Sequence, residues 1–171
     1  MPRMSSIAPR TLGPAELADL ATGLAARPEL WREHVRLAPG ETRAFHALVQ
    51  EDHATVWLIC WGPGADTGFH DHDGAAGAVA VCAGAVREER LRIGGAPAAH
   101  VAGEGELLEF SGDDIHRVTW AGGEPAVTIH AYSPALKRMG AYTVSPDGVL
   151  QRRALDEDTE LVNHETEAVA A

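Results

Sequence analysis

Cysteine is scarce. The 171 residues include two, Cys60 and Cys82, with no CxxC spacing. That excludes a disulfide framework and a structural zinc site and fits a reducing cytoplasm. Positive charge is short as well: Lys plus Arg number 14 against 25 Asp plus Glu, a formal net charge of −11. A surface of that sign repels phosphate backbones and anionic lipid headgroups, so neither nucleic acid nor a membrane is an expected partner. No apolar run reaches the roughly 18–20 residues of a bilayer crossing. The opening MPRMSSIAPRTLGP has two arginines but no apolar core of a signal peptide, so a cytoplasmic chain is expected. Aromatics are 5% of the residues. There is no GxGxxG dinucleotide fingerprint and no defensible nucleophilic triad. Nothing in the sequence demands a particular oligomeric state.

What remains is an ordinary globular balance, 45% hydrophobic and 23% charged. At about 100–200 residues per domain the length suits one domain with a sizeable core. Residues 1–13 read as a flexible lead. Pro14 opens a helical pattern with Leu17, Leu20 and Leu24 on one face. Pro28 restarts a second, PELWREHVRL, with Leu30, Trp31 and Val35 inward. Together they predict a short two-helix N-terminal cap over 14–38. From about Thr42 short β-branched runs alternate with turns: TVWLICW, GAVAVCAGAVREERLRI, GELLEF, HRVTW, AVTIHAY and GAYTV. AGGEP at 121–125 and SPDG at 145–148 read as turns. The pattern predicts an all-β sandwich or barrel, with the single domain spanning 14–155. The stretch 156–171 has six acids and no Lys or Arg and reads as a solvated tail.

Histidine is plentiful, with nine residues. His70 and His72 lie two apart in GPGADTGFHDHDG. On a strand such a pair shares one face and reaches one point. His116 follows a strand, GELLEF, and a Ser-Gly-Asp-Asp turn. A strand pairing there brings a third imidazole to the same interior. Three neutral imidazoles suit Fe, Zn, Cu or Ni. Asp71, between the pair, points to the other strand face. Asp113 and Asp114 read as turn-formers. His34, His53, His100 and His164 read as surface residues, and Trp57, Trp61 and Phe69 as packing.

These stretches resemble the two cupin motifs. The first is matched by Gly64, His70, His72, Gly77 and Gly84, with Gly77 where an acid is usual. The second is matched by Gly105, Ser111 in place of proline, and His116. The resemblance implies a small β barrel or jelly roll with a metal near its middle. Over roughly residues 40–145, LICWGPGADTGFHDHDG, IHRV and EPAVTIHAYSP resemble the cysteine dioxygenase family of thiol dioxygenases. That resemblance implies a mononuclear Fe(II) held by His70, His72 and His116. It implies a relay of Thr128, His130 and Tyr132, with Thr in place of the family's Ser. Alternation along a strand puts those three on one face. Mammalian members carry a cysteine, five residues after the second ligand, that is cross-linked to the relay tyrosine. Gly77 stands at that position, so no Cys–Tyr cross-link forms. A substrate-carboxylate anchor falls before the LICW strand, at Arg43 or His46, and the sequence leaves that choice open.

The implied reaction adds both atoms of O₂, the co-substrate, to the sulfur of a small, cysteine-like thiol, giving a sulfinic acid with no external reductant. Two other readings compete. One is a redox-inert cupin isomerase or lyase using the metal as a Lewis acid. The other is a cupin that binds a small ligand without turnover.

Overall fold

The computed structural model describes residues 10–156. Residues 1–9 of the expected lead, and the expected acidic tail beyond Asp156, lie outside them. Eleven strands follow one helix, α1 (Pro14–Ala25). They are β1 (Arg43–Glu51), β2 (Ala54–Trp61), β3 (His70–Asp71), β4 (Ala76–Ala83), β5 (Ala85–Arg92) and β6 (Gly95–Gly103). After them come β7 (Leu107–Phe110), β8 (His116–Trp120), β9 (Ala126–Ser133), β10 (Arg138–Val144) and β11 (Leu150–Asp156). Two antiparallel sheets face each other. One runs β1-β2-β9-β4-β7 and the other β11-β10-β3-β8-β5-β6. No described helix is long and apolar enough to cross a membrane.

The first sheet is buried on both faces, which explains its lack of polar alternation. Trp57, Ile59, Trp61, Val79 and Val81 point between the sheets. Val56, Leu58, Cys60, Ala78, Ala80, Ile129 and Ala131 point the other way, into an outer layer that α1 covers over β4 and β9. The helix buries Leu17, Ala21 and Leu24, its i, i+4 and i+7 positions, onto that layer. Alanines at 78, 80 and 131 let it sit close. Leu12 is also buried, and its N–H donates to Ser133 Oγ at 2.9 Å.

The cap differs from expectation. Among the described residues there is one α-helix, and the second predicted helix is two single 3₁₀ turns, Pro28–Leu30 and Arg32–His34. Trp31 breaks it, at φ −135° and ψ −21°. There the indole is buried and its Nε1–H donates to Leu24 O at 3.1 Å. The long run GAVAVCAGAVREERLRI is also two strands. Gly84, at φ +64°, turns the chain from the first sheet into the second. A Cβ there would stand 2.8 Å from Ala126 Cα and Pro125 O. Strands β1, β6 and β11 were not among the predicted runs. The β6 sequence GAPAAHVAG is poor in β formers and is held by its hairpin with β5.

Since α1 is held by its apolar face, Leu17→Ala is expected to cost about 2–5 kcal/mol in denaturant unfolding. Its helix covers the outer layer alone, so the same variant is expected to retain metal binding, measured by titration of the metal-free protein.

Candidate metal centre

His70 and His116 are direct cross-strand partners of β3 and β8. His72 follows two residues after His70. Ring centroids lie 4.7 to 5.0 Å apart, and the three candidate ligand atoms fall within 4.8 Å of one another. All three side chains are buried. The loops bearing them meet at two glycines: a Cβ on Gly112 would stand 2.3 Å from Gly74 O. Gly74 itself sits at φ +92°.

Hydrogen bonding decides which nitrogen of each ring is available. A carbonyl can only accept, so His70 Nδ1–H donates to Gly68 O at 3.0 Å and leaves Nε2 with a lone pair. His116 Nδ1 lies 2.7 Å from Glu88 Oε1, which likewise leaves Nε2 unprotonated. Both ring nitrogens of His72 are buried with no hydrogen-bond partner among the described residues. An orphaned buried polar atom costs about 1–3 kcal/mol, and a coordinated cation satisfies it. Burial, followed by the neighbouring histidines, holds His70 and His72 well below the ordinary histidine range. The residues therefore fit a divalent metal with imidazole affinity.

Glu88 was not anticipated from the sequence. Strand alternation puts it in phase with Val86, which is buried in the core between the sheets. β5 pairs with β8 so that Arg90 faces His116 and Glu88 faces Val118. Burial raises the Glu88 carboxyl, but hydrogen bonds from His116 and Arg90 outweigh this and leave it below its ordinary value. Among the described residues no carboxylate joins the trio, yet one full negative charge stands one hydrogen bond behind it.

On the opposite sheet, β9 aligns the relay. Thr128 Oγ1 lies 2.8 Å from His130 Nε2, and His130 Nδ1 lies 3.1 Å from Tyr132 OH. Trp61, expected only to pack, donates Nε1–H to Thr128 Oγ1 at 2.7 Å. The hydroxyl keeps one proton to give. His130 is nearer than Ile59 O, which lies at 3.5 Å. Donation to Nε2 places the imidazole proton on Nδ1, facing the phenol oxygen. Burial, then the fields of His116 and Arg43, lowers His130 to about 3, so it is neutral near pH 7. The Tyr132 ring stands 5.1 Å from that of His72.

Gly77 is the cross-strand partner of Tyr132. A Cβ there would fall 2.2 Å from Phe110 Cζ. Phe110 stacks on His72 at 4.4 Å and stands 5.9 Å from Tyr132. A glycine carries no sulfur, and an aromatic ring fills the space beside it.

Arg43 and His46 lie on opposite faces of β1. Arg43 is buried, pairs with Trp61, and holds its guanidinium carbon 5.6 Å over that indole. Its charge reaches His70 and His130. His46 pairs with Leu58 on the outer layer and stacks on His34 at 3.8 Å, in a groove shared with Arg36 and Cys60. His34, read as a plain surface residue, is half-buried in that stack. Cys82 is half-buried, and burial pushes its thiol up to about 12, consistent with packing. Asp71 turns away from the trio, as alternation requires, and binds Arg152 and Tyr142.

Glu88→Gln is expected to weaken divalent-metal binding about 10–100-fold, measured by competition with a chromophoric chelator. The metal-free protein is expected to lose stability as pH falls. Unfolded chain takes up a proton at His130 near pH 6.5, whereas the folded chain resists until about 3. Stability is thus full above the unfolded value and declines between the two. A denaturation midpoint no lower at pH 5 than at 7.5 contradicts this.

Comparison with known proteins agrees with this geometry. The family model "Cysteine dioxygenase type I" matches residues 11–145. No curated protein sequence matches the chain. Among solved structures, one similar fold is a conserved Klebsiella pneumoniae protein with a double-stranded β-helix domain, at 16% identity and TM-score 0.53, over 60% of this chain and 80% of that one. Another is the protein TT1209 of Thermus thermophilus, at 18% identity and TM-score 0.54, over 61% and 93%. KdgF of Halomonas sp. aligns at 15% identity and TM-score 0.50, over 61% and 91%. At these identities the likeness concerns the fold, a cupin-type double-stranded β-helix. With most of the chain matched by its model, the protein belongs to the cysteine dioxygenase type I family.

Proposed function

We propose that the protein is a mononuclear Fe(II) thiol dioxygenase acting on a small thiol that bears a carboxylate. The observation that carries this reading is the facing pair of devices: three buried imidazoles on one sheet, and the Thr128–His130–Tyr132 chain on the other. A Lewis-acid isomerase or lyase has no evident use for a buried tyrosine held by a proton-bearing relay. Family membership supports dioxygenase chemistry.

His70, His72 and His116 would hold the ion, each through Nε2 where the other nitrogen is committed. The ion would supply a cationic site that favours thiolate over thiol and an electron path between sulfur and O₂. The net reaction is RSH + O₂ → RSO₂H. Sulfur loses four electrons and O₂ gains them, so no outside reductant enters. Arg43, from the wall beside the relay, is the residue for the substrate carboxylate, with the Trp61 indole beneath its guanidinium. His46, on the far side of that wall, is not. Tyr132 donates a hydrogen bond to the reacting groups, and His130 holds the phenol oxygen in place.

Iron-reconstituted protein is expected to consume O₂ with at least one member of a panel containing cysteine, cysteamine, mercaptopropionate and mercaptosuccinate. The product should gain about 32 Da. No uptake with any thiol overturns the proposal. Arg43→Met is expected to raise KM about 10–100-fold for carboxylate-bearing thiols, the loss of one charge-assisted hydrogen bond, and to leave cysteamine unchanged. Tyr132→Phe is expected to lower kcat about 100-fold or more with little change in KM.

A further inference from the structure

Two of the three imidazoles sit on the shortest strand of the fold or just past its end. β3 is two residues long, with one paired position on β8 and two on β10. So short a strand has few ladder bonds of its own to fix ring positions. Asp71 lies between the two histidines in sequence and carries its carboxylate out through the other face of the sheet. There Arg152 closes a two-point ion pair on it, Nε to Oδ2 at 2.7 Å and NH2 to Oδ1 at 2.8 Å. Tyr142 donates its hydroxyl to Oδ2 at 2.5 Å. Asp71 Oδ1 also accepts the Asp73 N–H at 2.9 Å, and Arg152 reaches Asp73 Oδ1 at 3.1 Å. The turn that carries the chain past His72 is therefore tied to the same guanidinium.

Arg152 belongs to β11 and has to cross β10 to get there. The residue it crosses is Gly140, the β10 partner of Asp71 on one side and of Ala154 on the other. A Cβ on Gly140 would lie 2.2 Å from Arg152 Nε and 2.6 Å from Asp71 Oδ2. The absent side chain is the corridor through which the pair meets. Residue 152 lies beyond the 11–145 matched by the family model, so family membership assigns it no role.

We infer that Arg152 of β11, reaching Asp71 across Gly140, and Tyr142 of β10 form a clamp by which the last two described strands position His70 and His72 and set how firmly the centre retains its metal. The inference rests on the reading that the trio binds a divalent ion, and not on which reaction follows.

The test uses full-length protein loaded with Co(II), whose d–d absorption reports ligand geometry and whose transfer to excess chelator reports retention. Arg152→Met removes the clamp. Gly140→Val closes the corridor and keeps both charges. Leu155→Ala loosens the same β11 strand from the core without touching Asp71. Measured below the melting temperature of every metal-free variant, the first two are expected to release Co(II) about 10–100-fold faster than wild type. Arg152→Met should also shift the d–d bands, while Leu155→Ala keeps wild-type rate and spectrum. Should Arg152→Met fail to fold, Tyr142→Phe, which deletes one hydrogen bond, is expected to release several-fold faster. Wild-type release in the clamp variants, or equal acceleration by Leu155→Ala, overturns the clamp alone. Failure of wild-type protein to take up Co(II) overturns the metal reading of the trio, and the clamp with it.

Discussion

Three buried imidazoles can serve one ion only while each keeps a lone pair for it. A proton on His70 or His72 would place a buried cation among like groups, and burial, then the neighbouring histidines, opposes it. Neutrality alone is not sufficient, because a neutral ring can present either nitrogen. The surroundings choose. Gly68 O takes the His70 Nδ1–H, and Glu88 engages His116 Nδ1. Among the described residues His72 has neither kind of partner, so a bound cation would meet its need. The centre is thus built around lone pairs fixed in advance, with one anion placed behind them rather than among them. That placement leaves the ligand set uncharged while offsetting part of the ion's charge from one step away.

The two-sheet architecture divides the labour. The ligands come from β3, β8 and the loops between glycines, all on the six-stranded sheet. The relay and Arg43 come from β9 and β1 of the five-stranded sheet. Either set is useful only when the sheets face each other at the right spacing. The core between them, with Trp61, Val79, Val81, Phe110 and Val118, is what fixes that spacing. α1 contributes from outside, by letting the first sheet be apolar on both faces and so rigid. A loss of helix packing and a loss of ligand geometry therefore act on different layers and should be separable.

The His70–His72 pair and the shared face of Thr128, His130 and Tyr132 were legible because both depend on short-range spacing, whereas His116 as third ligand and the relay as a relay came from the resemblance. An HxH pair and a T-x-H-x-Y segment state their shared face in the order of their residues. The choice between Arg43 and His46 was not legible. RAFHALVQE is partly apolar on both faces, one on the outer layer and the other toward the barrel interior, and its phase emerges only from pairing with β2. Glu88 was half legible: its phase with Val86 could be read, but its meeting with His116 depends on a register set by tertiary packing. Arg152 was hidden for the same reason, being 81 residues from Asp71 and joined to it through a gap that a single glycine leaves. The second helix failed for the opposite reason. PELWREHVRL has helical spacing, but one buried indole seeking Leu24 O outweighed it.

Gly77 shows how a covalent device is replaced by packing. The resemblance to mammalian relatives places there a cysteine whose sulfur would tether the relay tyrosine. In this chain the register does bring position 77 opposite Tyr132, so the geometry for such a tether persists. The space does not: Phe110 occupies it, and a Cβ at 77 would overlap the ring. The same ring lies flat against His72 and near His116 and Tyr132. One aromatic side chain thus supports two ligands and the phenol together, through dispersion contacts that are individually small and collectively firm. The glycine and the phenylalanine form one unit. Restoring a cysteine at 77 without shrinking residue 110 would push the ring into His72, so a tether could be gained only by loosening a ligand.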